Sequence, residues 1–124
     1  MTIVIDTVSY DVPFVSLRRK ADFLYKNAER LENGDLAAEL LGVYKNYELT
    51  MGSPNNSTQL AAYNALWAKL TEAQAFHEVT VPDQAPYQAY FAGVSDELRK
   101  EKNGINFWKG LTVTFIAKSP ALIP

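Results

Sequence analysis

The closing stretch of the chain, from about Phe107 to Lys118, alternates with a period of two. Leu111, Val113, Phe115 and Ala117 share one parity, and Thr112 and Thr114 share the other, with Ile116 an exception. A pattern of this kind suits a half-buried β-strand and does not suit a helix. The same period recurs upstream. In the segment from Phe14 to Phe23, Val15, Leu17, Ala21 and Phe23 fall on one parity, interrupted by Arg19. Between Val43 and Met51, the residues Val43, Tyr47, Leu49 and Met51 share a face with Lys45 among them. Phe76 to Val81, stopping at Pro82-Asp83, and Tyr87 to Val94 read as further strands. Thr2-Ile3-Val4-Ile5 and Val8 to Val12 add two short ones.

Only one segment carries a helical stripe. Leu60, Tyr63, Trp67 and Leu70 recur at three- and four-residue steps, and Ala61, Ala62, Ala65 and Ala68 raise the propensity between them. Ser57 is a candidate N-cap, which predicts a helix over about 57–71. Strands, one helix, then strands joined by short connections imply antiparallel pairing. The expected class is α+β, mainly β: an antiparallel β-sandwich or partly closed barrel with one packed helix. Its core should gather Leu17, Val43, Leu49, Val79, Val81, Phe91, Val113 and Phe115, with Trp67 buried in the helix stripe.

Two segments are less regular. Tyr25 to Leu41 contains the turn signal Asn33-Gly34, and Asp35 to Leu41 has helix-forming composition over barely two turns, too few to stand alone. It reads as a long loop or a projecting hairpin, an arm carrying Leu31, Leu36, Leu40 and Leu41. The mixed-sign run from Ser95 to Gly104 reads as a solvated connection or short helix. The 124 residues fit a single domain, large enough to fold without a disulfide or metal.

The sequence offers little reactive chemistry. There are no cysteines and a single histidine, His77, which shares a face with Val79 and Val81. Its neighbour Glu78 points the other way on a strand, so His77 is expected to be structural. No metal-ligand spacing, glycine fingerprint or carboxylate pair stands out, so neither cofactor nor metal is expected and the chain reads as a non-enzyme. A formal net charge of −2 gives no field toward nucleic acid or an anionic membrane. The one basic cluster, Arg18-Arg19-Lys20, alternates between faces and reads as a charge-protected strand edge. The aromatics Tyr87, Tyr90, Phe91, Phe107 and Trp108 leave a second reading open, a stacking surface for single-stranded nucleic acid. No signal peptide or membrane-length apolar run is visible, so synthesis in a cytoplasm is expected.

Two stretches carry a resemblance: Val43-Tyr44-Lys45-Asn46-Tyr47-Glu48-Leu49, and Phe107-Trp108-Lys109-Gly110-Leu111-Thr112-Val113-Thr114-Phe115-Ile116-Ala117. With these, the Asn33-Gly34 turn, the helix ending in Trp67 and Leu70, and His77-Glu78-Val79-Thr80-Val81-Pro82, the chain resembles small structural tail proteins of long-tailed phages and prophages of Gram-positive bacteria. The order of elements is similar to the N-terminal domain of distal tail proteins and, more distantly, to tail-tube proteins. The resemblance implies a virion tail component of the tube, baseplate hub or connector region. It would form or join a ring with itself and with other tail proteins. The 124 residues are shorter than a full distal tail protein, and the resemblance is not expected to extend to that family's C-terminal carbohydrate-binding or galectin-like part. A ring needs two different complementary patches per subunit. The candidates are the strand edge at Arg18, Arg19 and Lys20 and the arm at Leu31, Asn33, Gly34, Leu36 and Leu40, with the apolar terminus Ala121 to Pro124 as a third contact.

Overall fold

The computed structural model describes residues 3–82 and 84–124, without the side chains of residues 14, 27, 28, 36 and 37. Thr2 and Asp83, read above as the start of one strand and the stop of another, lie outside it. Seven strands and one helix follow in order: β1 (Ile3–Ile5), β2 (Val8–Tyr10), β3 (Phe14–Arg30), β4 (Leu36–Met51), α1 (Ser57–Leu70), β5 (His77–Thr80), β6 (Tyr87–Lys102) and β7 (Ile105–Ala117). The strands form one antiparallel sheet in the order β2-β1-β5-β6-β7-β4-β3.

This order forces the sheet to curl. β2 and β3 occupy opposite edges, yet only Asp11, Val12 and Pro13 separate them in the chain. Laid flat, seven strands would hold their edges about 29 Å apart, whereas the link from Tyr10 to Phe14 reaches at most about 14 Å. The sheet therefore rolls into a partly closed barrel, and the pairing does not continue from β2 to β3. Val12 is buried in the link, and the Gly52 N–H donates to the Pro13 carbonyl at 2.8 Å.

The alternating faces become the lining. Leu111, Val113, Phe115 and Ala117 of β7 are buried, as are Tyr47, Leu49 and Met51 of β4, Val79 and Val81, and Ile3 and Ile5. Leu17 and Phe91 are partly buried against this core. Val43 is only half-buried and stands outside it, because β7 leaves β4 after the Tyr47–Phe115 pair. Helix α1 covers the lining with Leu60, Tyr63, Leu66 and Leu70. Leu66 is the fully buried member of its turn, while Trp67 lies at the margin of the stripe. The helix starts one residue earlier in its capping than Ser57 suggests. Asn56 is the N-cap, and its side-chain oxygen accepts from the Gln59 N–H at 2.9 Å.

Two long ribbons dominate the sheet. β3 and β4 pair from Phe14–Met51 out to Arg30–Leu36, and β6 and β7 pair from Ala89–Ala117 out to Lys102–Ile105. The ribbons share only the short ladder between Tyr47–Phe115 and Thr50–Thr112. Because β4 and β7 run antiparallel, each ribbon continues past the opposite end of that ladder. The segment 25–41 is thus a hairpin, and pairing overrides the helix-forming composition of Asp35 to Leu41. The run from Ser95 to Gly104 is neither a connection nor a short helix. It is the outer half of the second ribbon, turned by Asn103 and Gly104 at φ 53° and 77°, both in the left-handed region that a tight hairpin turn requires.

Candidate functional site

His77 has the partner that sequence spacing could not supply. Asp6 sits in the β1–β2 turn at φ 50° and is bonded twice to the backbone of Glu78. Its N–H donates to the Glu78 carbonyl at 2.8 Å, and its carboxylate accepts the Glu78 N–H at 2.9 Å. The other carboxylate oxygen of Asp6 is bonded to His77 Nδ1. The Lys69 ammonium lies 3.7 Å from that oxygen and 2.8 Å from Glu72. Burial pushes the Asp6 carboxyl up, but the bonds from His77 and Glu78 and the nearby Lys69 charge outweigh it and hold it below 3.8.

A carboxylate on Nδ1 is the orientation a general base needs. The opposite ring nitrogen decides what the pair can do. His77 is 1% exposed, its Nε2 is buried with no hydrogen-bond partner, and its ring stacks on Phe91 at 4.7 Å with an interplanar angle of 8°. A substrate cannot reach Nε2, and no nucleophile is bonded to it. The pair pins the β1–β2 turn to β5 and to α1. Among the described residues no group of three or more His, Cys, Asp or Glu side chains could hold a metal ion.

A wide depression of the surface lies at the base of the β3–β4 ribbon. It encloses about 820 Å³ between that ribbon and the chain at Pro82 and Gln84. The register builds it: the pairs Leu17–Leu49, Arg19–Tyr47 and Ala21–Lys45 bring side chains of the core-lining face out beyond the core. Leu17 and Tyr47 supply apolar surface, and Arg19, Lys20 and Lys45 supply three cations. Arg18, paired with Glu48, does not line the groove. Lys20 reaches it from the open edge of β3 and is paired with Asp22 at 3.3 Å. Lys45 was visible in the sequence only as an interruption of an apolar face. Asn46 fixes the ribbon at this point. Its amide donates to Asp22, and its oxygen accepts the Ala117 N–H at 2.8 Å where β7 departs from β4.

The remaining candidates are at the far end of the ribbon. Leu31, Asn33 and Gly34 form its turn. The Leu31 N–H donates to the Asp35 carbonyl at 2.7 Å, the Asp35 N–H to the Asn33 side chain at 3.0 Å, and Arg30 to the Gly34 carbonyl at 3.0 Å. Gly34 takes φ 89°. Leu36 pairs with Arg30, its side chain outside the described residues, and Leu40 pairs with Tyr25. The structure therefore does not bring the two sets of candidates together within one chain. The ribbon is also electrically polarised. Arg18, Arg19, Lys20 and Lys45 against Asp22 and Glu48 leave the base at +2; Lys26 and Arg30 against Glu29, Glu32, Asp35 and Glu39 leave the outer part at −2. Phe23 at 58%, Tyr25 at 47% and Leu31 at 48% exposure lie along the way.

The terminus expected to contact a neighbour is bonded to its own chain. Val43 donates to the Leu122 carbonyl and accepts from the Ala121 N–H, both at 2.9 Å, while the Leu122 and Ile123 side chains remain exposed. The aromatics do not form one stacking platform. Phe91 faces inward against His77 and Phe115, Tyr87 packs on Tyr47, and Trp108 packs against the core. Tyr90 is exposed beside Phe76, and Phe107 lies under Arg99 and Lys100. No helix of the described residues is long and apolar enough to cross a membrane.

No family model matches the chain, and no curated protein matches it. Among solved structures it is similar to the crystal structure of the SPP1 Dit protein, described as a paradigm of the hub adsorption apparatus in phages infecting Gram-positive bacteria. The identity is 13% and the TM-score 0.49, over 96% of this chain and 50% of that one, so the chain spans half the length of the protein it matches.

Proposed function

We propose that the chain is a non-catalytic structural protein of a phage or prophage tail, in the tube, baseplate hub or connector region, where it forms or joins a ring. The observation that carries this reading is the pair of ribbons. They share only a short ladder and extend past its opposite ends. Strand length beyond what the core uses, edged by an open strand and dotted with exposed Phe23, Tyr25, Leu31, Leu98 and Ile105, is surface suited to neighbours. The sequence resemblance to small tail proteins supplies the kind of assembly. Its partners are then further copies of itself and other tail proteins, and its final location is the virion tail after synthesis in the host cytoplasm.

Co-expression with the products of adjoining genes tests the reading. The chain should co-elute on gel filtration with a tail protein, in several copies per complex. Elution as a 13.9 kDa species in every combination would contradict it.

A further inference from the structure

We infer that the basic groove at the base of the β3–β4 ribbon receives the acidic turn of the same ribbon from a second copy of this chain. The inference rests on the assembly reading above and specifies its contact. Arg19, Lys20 and Lys45 line the groove over Leu17 and Tyr47. Among the described residues only Lys20 of these three has an ion-pair partner, Asp22. Two cations beside an apolar floor suit a segment that combines carboxylates with an apolar side chain. The outer turn has that composition: Glu29, Glu32 and Asp35 surround Leu31, all exposed.

Two features select a second copy over the chain's own turn. Pairing continues to Arg30–Leu36, so the ribbon stays extended. From Lys20 to Leu31 the strand covers about 36 Å, which holds the turn away from its own groove. The turn is also already shaped. Its backbone and side-chain hydrogen bonds fix Leu31 to Asp35 before any contact, which lowers the ordering entropy of docking. Turn and groove are different patches, so the contact is head-to-tail, and repetition closes a ring or extends a filament.

Charge exchange tests the contact on the full chain. Light scattering at low salt should show wild-type self-association, weakened at least about tenfold at 0.5 M salt, where screening is strong. Glu29→Lys with Glu32→Lys removes the acidic turn and leaves the groove; Arg19→Glu with Lys45→Glu does the reverse. Each variant alone should remain monomeric with an unchanged circular dichroism spectrum. Mixed, they should associate beyond a dimer, because the intact groove of one variant takes the intact turn of the other and the exchanged turn fits the exchanged groove. All four substitutions in one chain should restore association. If the groove variant misfolds, Arg19→Glu alone replaces it in the mixture. Unaltered association in the variants, or folded variants that do not associate on mixing, would overturn the inference. So would a wild type that stays monomeric at low salt, an outcome that leaves the tail reading to particle composition.

Discussion

Gly42 lies so close to Pro120 that a Cβ placed on it would stand 2.6 Å from the Pro120 Cβ. This glycine is required by space, and it lets the C-terminal segment lie against β4 and exchange hydrogen bonds with Val43. Gly42→Ala should push the segment off. Hydrogen exchange at the Val43 amide should accelerate while the amides of β7 keep their protection. Unchanged protection of Val43 would show that the segment adjusts without leaving.

The Asp6–His77 bond predicts a stability effect with a defined pH dependence. Asp6→Asn keeps a residue that tolerates positive φ but removes one carboxylate oxygen, so either His77 or Glu78 loses its acceptor. The expected loss is about 1–3 kcal/mol at pH 7, measured by urea unfolding. The folded carboxyl lies below its unfolded value of 3.8. Its contribution is therefore complete above that value and is lost as pH falls through the folded one. The contribution of the Asp6 charge to the gap between wild type and variant should shrink as pH falls below about pH 4.

Asp96 behaves in the opposite sense. Burial raises its carboxyl by more than the Tyr63 hydroxyl, donating at 3.1 Å, lowers it. Ionisation at neutral pH is thus unfavourable to the fold, and the penalty disappears as pH falls through the raised value. Asp96→Asn still offers Tyr63 an acceptor. It should match or exceed the wild-type melting temperature at pH 7, and lose that advantage in acid. A clear drop at pH 7 would contradict the assignment.

Within α1, the order of two truncations separates stripe from margin. Leu66 is fully buried and Trp67 partly so. Leu66→Ala should cost about 2–5 kcal/mol. Trp67→Ala should cost less, below the roughly 3–5 kcal/mol of a fully buried tryptophan. The reverse order in chemical denaturation would place Trp67 in the core.

The sequence was legible where period and burial coincide. The apolar parity of β7 and the spacing of α1 reach the fold nearly unchanged, because each has one wet and one dry side. Val43 misleads because parity names a face and says nothing about where the facing strand ends. Asn103-Gly104 carries the same turn signal as Asn33-Gly34, but its flanking charges suggest a solvated connection; both faces of that outer ribbon are largely solvated, so no apolar alternation marks it. Asn56 and Ser57 are adjacent cap candidates that composition does not separate. Asp6 and His77 stand 71 positions apart, and nothing local announces their bond. The groove needs Lys45 opposite Ala21, a register set by long-range pairing. Arg19 and Lys20 were recognisable as candidates, whereas Lys45, Tyr47 and Leu17 became so only once paired.

The central claim is that this fold serves a tail as a building block. Mass spectrometry of tail particles, purified by density gradient from the strain that encodes the chain, measures this most directly. The account predicts that the chain is present at several copies per particle, in fixed ratio to the other tail proteins. Particles that contain those proteins but lack this chain would contradict it.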